Sequence, residues 1–169
     1  MNATLAAWNK ADRGTALEEM LACCGAKRWA DAMVALRPVP NVIALSEAAD
    51  RIWTTMDEAD WLEAFACHPR IGERKPAHTI ARAAAWSAEE QSSTRNAMEQ
   101  VLHELTKANE GYEQRYGFTY IVCATGKSAE EMLQMLNRRL MSDRDSEFRE
   151  AAEQQRQILQ IRLGKWLVE

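Results

Sequence analysis

Apolar residues recur at three- and four-residue spacing along most of the chain, the period of an α-helix with one buried face. "TLAAWNKA" (4–11) predicts a first short helix with Asn2 as its cap, and a second covers 15–24 with Gly25 as a C-terminal stop. "AKRWADAMVAL" (26–36) is a third, closed by "RPVPN". Asn41 caps "VIALSEAADRIWTTM", where Ile43, Ala44, Ile52 and Trp53 approximate a helical stripe. Asp57 caps "EADWLEAFACH", with Trp61, Leu62, Phe65 and Ala66 on one face. Residues 69–86 read as irregular or weakly helical. Ser87, in a Ser-x-x-Glu capping box with Glu90, opens the longest predicted helix, to about 116. "GFTYIVCA" (117–124) is the one β-like run; with no second strand to pair with, it reads as an extended buried connector. Ser128 and Glu131 form another capping box ahead of "AEEMLQMLNRRLM", and a last helix runs from about 145 to 167. The expected fold is all-α: a single-domain bundle, residues 1–169, of roughly eight helices with one short extended segment.

Composition narrows the function classes. The chain has 169 residues, 47% apolar and 27% charged, with six Trp and eight Met to fill a core. A net charge of −4 gives no basic face for nucleic acid, and Arg138, Arg139 and Arg144 sit among acids as a solvated face. No apolar run approaches the roughly 20 residues of a membrane helix, and the N-terminus lacks the pattern of a signal peptide. Cys23, Cys24, Cys67 and Cys123 make no C-x-x-C pair and read as buried free thiols in a reducing cytoplasm. The histidines, His68, His78 and His103, form no metal-ligand spacing, and there is no glycine-rich phosphate loop.

Four features could carry chemistry. In "FACHPRIGE", Pro69 pushes His68 out of helical dihedrals, so the imidazole leaves a helix C-terminus on a stiff mount. The partial negative charge there favours the protonated ring, suited to general acid work; the alternative is a histidine that only caps the last carbonyls. In "WSAEEQSS", Ser87, Glu90 and Gln91 fall on one face at a helix start, where free N–H groups favour an anion; the alternative is a plain capping box. The extended run offers backbone donors and acceptors to a planar heterocycle, or pairs them with the protein and water. Arg162 sits among Ile158, Leu159, Ile161 and Leu163, so it either meets an anion or snorkels to the surface.

The order of these features is more specific than any one of them. "FACHPRIGE", then "WSAEEQSS", then "YGFTYIVCATGKS", then "ILQIRLGKW" resembles the family of 2-oxo-4-hydroxy-4-carboxy-5-ureidoimidazoline (OHCU) decarboxylases of urate degradation, over nearly the whole chain. The resemblance implies an all-α cytoplasmic homodimer that uses no metal or organic cofactor, acts on a small ureide and forms (S)-allantoin. It implies that His68 is the catalytic acid, that Glu90 orients it or contacts the substrate hydroxyl, and that Pro69 shapes the pocket. Ser87, Gln91 and Arg162 are then substrate contacts, and Tyr120, Ile121, Val122, Cys123 and Ala124 offer backbone groups to the ring. The chain departs from the commoner pattern after His-Pro, with Arg70, Ile71, Gly72 and Glu73 where many relatives have Asp-Leu-Ala-Gly. Thr125 stands where relatives often have arginine, and Gln160 where many have alanine. Other classes compatible with the pattern are a non-enzymatic helical interaction module and an enzyme for another ureide.

Overall fold

The computed structural model describes residues 2–71, 81–90 and 99–169, without the side chains of Ala81 and Glu90. Among the described residues there are nine α-helices and no strand: α1 (Ala3–Lys10), α2 (Arg13–Cys23), α3 (Lys27–Ala35), α4 (Val42–Thr54), α5 (Glu58–Ala66), α6 (Ala81–Glu90), α7 (Glu99–Tyr116), α8 (Ala129–Arg139) and α9 (Arg144–Trp166). The chain is all-α, as its periodicity predicts.

Local capping chemistry sets most helix starts. Asn2, Asn41 and Ser128 each accept a hydrogen bond from the backbone of the first turn they precede, and Ser128 with Glu131 makes the full reciprocal box. Asp57 does the same with Asp60 in place of Glu, the two residues exchanging 3.1 Å hydrogen bonds between backbone N–H and carboxylate. Asp12 starts α2 two residues earlier than expected, because its carboxylate accepts from both the backbone and the hydroxyl of Thr15. Those hydrogen bonds hold its carboxyl below the usual carboxylate range. Helix α3 has no cap of its own; the Glu63 carboxylate of α5 accepts from Lys27 N at 2.9 Å instead. Helix α2 ends before Gly25 with Cys24 in extended backbone, so no left-handed glycine is used there. Positive φ occurs instead at Gly117 and Gly126, which bracket the non-helical run.

Two compact units can be described separately. The first is Met1–Ala64 with Arg156–Glu169. Helix α2 packs on α3 and α3 on α4, and the core holds Trp8, Met20, Trp29, Met33, Leu45, Trp53, Leu159 and Trp166. The buried stripe of α4 is Leu45, Ala48, Ala49 and Trp53, so that of the expected set only Trp53 lies on it, and Ile43 is 71% exposed. A polar bridge ties α4 to α9: Gln160 bonds Ser46 and Asp50, and Arg156 pairs with Asp50 at 3.0 Å. Those partners account for a glutamine at position 160.

The second unit is Phe65–Gln155. Helix α7 packs along α8, and the rings of Phe65, Tyr112, Tyr116, Phe118, Tyr120 and Phe148 stack edge-on or tilted at centroid distances of 4.7–6.1 Å. On α5, Ala64 and Phe65 are buried while Ala66 is exposed, so the buried face is turned by one residue from the expected one. Helix α6 begins within the stretch expected to be irregular. Four alanines in the five residues 81–85, the best helix formers, carry it to Ser87 and beyond. Ser87 is therefore inside a helix and not at the head of one, and residues 91–98 of the long helix expected from it lie outside the described residues.

Candidate active site

His68 follows the last residues of α5. Its N–H donates to the Phe65 carbonyl at 3.1 Å, an i to i−3 bond that tightens the closing turn, and Pro69 is buried directly after it. The helix thus stops where the His-Pro pair predicts, with His68 half-buried. Arg70 holds the far side of the pair. Its Nε and Nη2 donate to the two Glu113 oxygens of α7 at 2.7 and 2.6 Å, a fork that fixes the start of the basic loop. The rest of that loop, with Gly72, Glu73, Arg74 and Lys75, lies outside the described residues.

Ser87 sits seven residues into α6 and is only 2% exposed, on a buried face with Ala83 and Trp86. A capping box with Glu90 is excluded by that position, and so is an anion site on free N–H groups at Ser87, since α6 already has backbone one turn upstream. Glu90 is the last residue of α6. Gln91 and the Glu90 side chain lie outside what is described. Arg162, in the first unit, is 2% exposed, so it does not snorkel to the surface.

The run 117–124 is non-helical and nearly all buried, as expected of a connector. Its backbone is held by side chains from the two helices and the turn that follow it. The Ile121 carbonyl accepts from Arg139 Nη1 at 2.6 Å, and Cys123 N–H donates to Gln154 Oε1 at 2.9 Å. The Cys123 carbonyl accepts from Lys127 Nζ at 2.6 Å, and the Ala124 carbonyl from Lys127 N at 3.0 Å. Arg139, expected on a solvated face, is 4% exposed. It pairs with Glu147, itself buried, and lies over the Tyr120 ring at 4.7 Å. Tyr112 donates to the same Glu147 oxygen.

This setting fixes charge states. Burial works against the Arg139 charge, but the hydrogen bond and charge of Glu147 outweigh it and hold its pKa above the ordinary value. Burial pushes the Tyr120 phenol up to about 12, although Arg139 pulls the other way, and drives Tyr112 higher still. Both phenols therefore stay neutral. The missed signal was positional: Ala129, Met132, Leu136 and Arg139 fall at 3-4-3 spacing on the buried face of α8.

His68, Pro69, Ser87, Tyr120, Ile121, Val122, Cys123 and Ala124 all belong to the one compact unit Phe65–Gln155. Three of the four cysteines are buried and Cys67 is half-buried. Among the described residues no helix is long and apolar enough to cross a membrane.

The fold is that of an all-α carboxy-lyase, for a model of the OHCU decarboxylases matches residues 9–164. The chain belongs to the OHCU decarboxylase family. It is 32% identical over 149 residues to the uric acid degradation bifunctional protein TTL of Arabidopsis thaliana, covering 88% of this chain and 46% of that one. The chain thus spans about half of that relative's length. It is also 26% identical over 129 residues to the 2-oxo-4-hydroxy-4-carboxy-5-ureidoimidazoline decarboxylase of Haloferax volcanii, covering 76% of this chain and 74% of that protein. A crystal structure of OHCU decarboxylase in the presence of (S)-allantoin superposes with a TM-score of 0.77 at 29% identity, over 90% of this chain and 99% of that chain.

Proposed function

We propose that the protein decarboxylates OHCU to (S)-allantoin as a carboxy-lyase of urate degradation, residues 1–169 acting as one domain. The observation that carries this is the family match over residues 9–164, which embraces every motif of the candidate site.

The chemistry suits the residues. OHCU bears a carboxylate and a hydroxyl on one ring carbon, beside a C=N carbon. Loss of CO2 pushes an electron pair toward that C=N, so the substrate is its own electron sink. Three tasks remain for the protein: fixing the ring, stabilising the moving charge, and delivering a proton to one face. Ser87, Gln91 and the backbone of 120–124 hold the ring and ureide. Arg162 meets an anionic or polar part of the substrate. Glu90 orients His68 or contacts the substrate hydroxyl. His68, held between the closing turn of α5 and buried Pro69, manages the hydroxyl proton or protonates the intermediate on one face. That sets the S configuration. A homodimer in the cytoplasm is the assembly and compartment that go with this reading.

The test is to add the protein to freshly generated OHCU and follow the optical signal. Accelerated formation of optically active (S)-allantoin is expected. Decay at the spontaneous rate to racemic product rejects the proposal. Decarboxylation of a different ureide but not OHCU would move the protein to another substrate on the same scaffold.

A further inference from the structure

The side-chain bonds described for the backbone of 120–124 fall on Ile121 and Cys123, while the Ala124 carbonyl takes the Lys127 N–H of the turn that follows. Both peptide groups of Cys123 and the carbonyl of Ile121 are bonded to Gln154, Lys127 and Arg139. Ile121 and Cys123 are two residues apart. In extended chain, a residue's N–H and C=O point to one side and those of its neighbour to the other. Side chains of the protein thus occupy the edge that carries the odd-numbered residues. Val122, between them, turns its peptide groups the opposite way.

Each of the three side chains is itself held. The Gln154 amide is oriented by its own Nε2, which donates to Glu150 Oε1 at 3.0 Å, so the oxygen is the end aimed at Cys123. Arg139 is braced by the Glu147 carboxylate, with Nε donating at 2.6 Å. Lys127 closes the turn after Ala124, bonding the run through both its backbone and its ammonium. All of these residues lie within Phe65–Gln155.

We infer that Gln154, Lys127 and Arg139 are positioning residues: they clamp the Ile121 and Cys123 edge, and so present the Val122 edge as the row of backbone groups that reads the substrate ring. The inference rests on the proposed use of 120–124 for binding and narrows it to one edge. None of the three touches the substrate. Their effect passes through the register of the backbone, and a chain that slides or rotates by one residue would present the wrong donors and acceptors.

The test is a KM against kcat comparison on OHCU with Gln154→Leu, Gln154→Glu combined with Glu150→Gln, and Lys127→Met. Gln154→Leu removes the acceptor for Cys123 N–H, and Lys127→Met removes the donor to its carbonyl. Each is expected to raise KM about five- to tenfold, the equivalent of one hydrogen bond's worth of ordering. Gln154→Glu, combined with Glu150→Gln so that a donor still faces an acceptor between the two side chains, keeps an oxygen at the same place and is expected to restore most of the affinity. A purely structural role would lower the active fraction, and with it the maximal rate, at unchanged KM; that result overturns the inference while leaving the decarboxylase reading intact. If Gln154→Leu does not fold, Lys127→Met decides, since Lys127 lies in the turn after the run. A wild-type protein that does not accelerate OHCU decay overturns both the decarboxylase reading and this one.

Discussion

Arg139 and Glu147 form an ion pair, 2.5 Å between Nη2 and Oε1, in which both side chains are 95% or more buried. Glu147 lies in the first turn of α9, where the helix dipole favours a carboxylate, and Asp143 caps that helix through Ser146. The pair therefore joins the end of α8 to the start of α9 and lends one guanidinium N–H to the Ile121 carbonyl. Removing one partner leaves the other charged and buried. Glu147→Ala and Arg139→Met are each expected to cost about 3–5 kcal/mol, whereas Arg139→Met with Glu147→Leu should recover much of the loss. Urea unfolding of the two single variants and the double variant measures the coupling. Additive losses would show that the pair does not act as a unit.

The two neutral phenols give the fold an alkaline limit. Burial pushes the folded-state pKa of the Tyr120 phenol up to about 12, above its ordinary value. Its proton is held more tightly in the folded chain, so the associated stability is intact below pH 10 and declines as pH rises toward 12. Tyr120→Phe removes the ionisable group and should flatten the fall in unfolding free energy between pH 10 and 12, although Tyr112 continues to contribute. Urea melts at pH 9, 10 and 11 check this; identical slopes for both proteins would exclude the phenol as the cause.

The fold was legible where local chemistry decides it. Asn2, Asn41, Asp57 and Ser128 could be read as caps because each accepts a hydrogen bond from the backbone of its own first turn, whatever else it touches. Ser87 and Glu90 have the same spacing and are not a cap, because the alanine run before them propagates the helix past the serine. Spacing specifies a cap only where the preceding residues are poor helix formers. The non-helical run and the stop before Pro69 were legible for the opposite reason: β-branched and aromatic residues in one case, and proline in the other, override their surroundings. Arg139, Glu147 and Gln154 were not, since their roles depend on partners far along the chain. Their formal charge and polarity suggested solvent, and only the apolar positions one and two turns away on the same face hinted at burial.

Arg70 marks where the chain leaves the commoner family pattern, and its fork on Glu113 gives that departure a structural role. The pair is half exposed on the arginine side, so it is worth about 0.2–1 kcal/mol, weaker at high salt. Glu113→Gln should therefore lower kcat by no more than about fivefold with little change in melting temperature, and raising salt should bring the wild type toward the variant. Equal activity of the two proteins at low salt would leave the fork a surface contact with no part in placing the His-Pro pair.

His68 and Glu90 can now be separated more cleanly than from sequence. Had Ser87 and Glu90 capped a helix, loss of activity in Glu90→Gln could have come from a weakened helix start. Ser87 lies seven residues inside α6, so that explanation is gone, and a stability loss of cap size is not expected. His68→Asn keeps a polar, hydrogen-bonding side chain and the backbone bond to Phe65, but it supplies no titratable proton near neutral pH. It is expected to lower kcat for OHCU about 10²- to 10⁴-fold, the range of a positioned acid, with the melting temperature held. Glu90→Gln should lower kcat by less if it only orients His68, and by a comparable factor if it contacts the reacting hydroxyl. Stopped-flow decay of OHCU, read with thermal melts of the same preparations, measures both. Wild-type rates of (S)-allantoin formation in His68→Asn would remove His68 as the acid, and a fall in rate matched by a fall in melting temperature would reduce it to a residue that only closes α5.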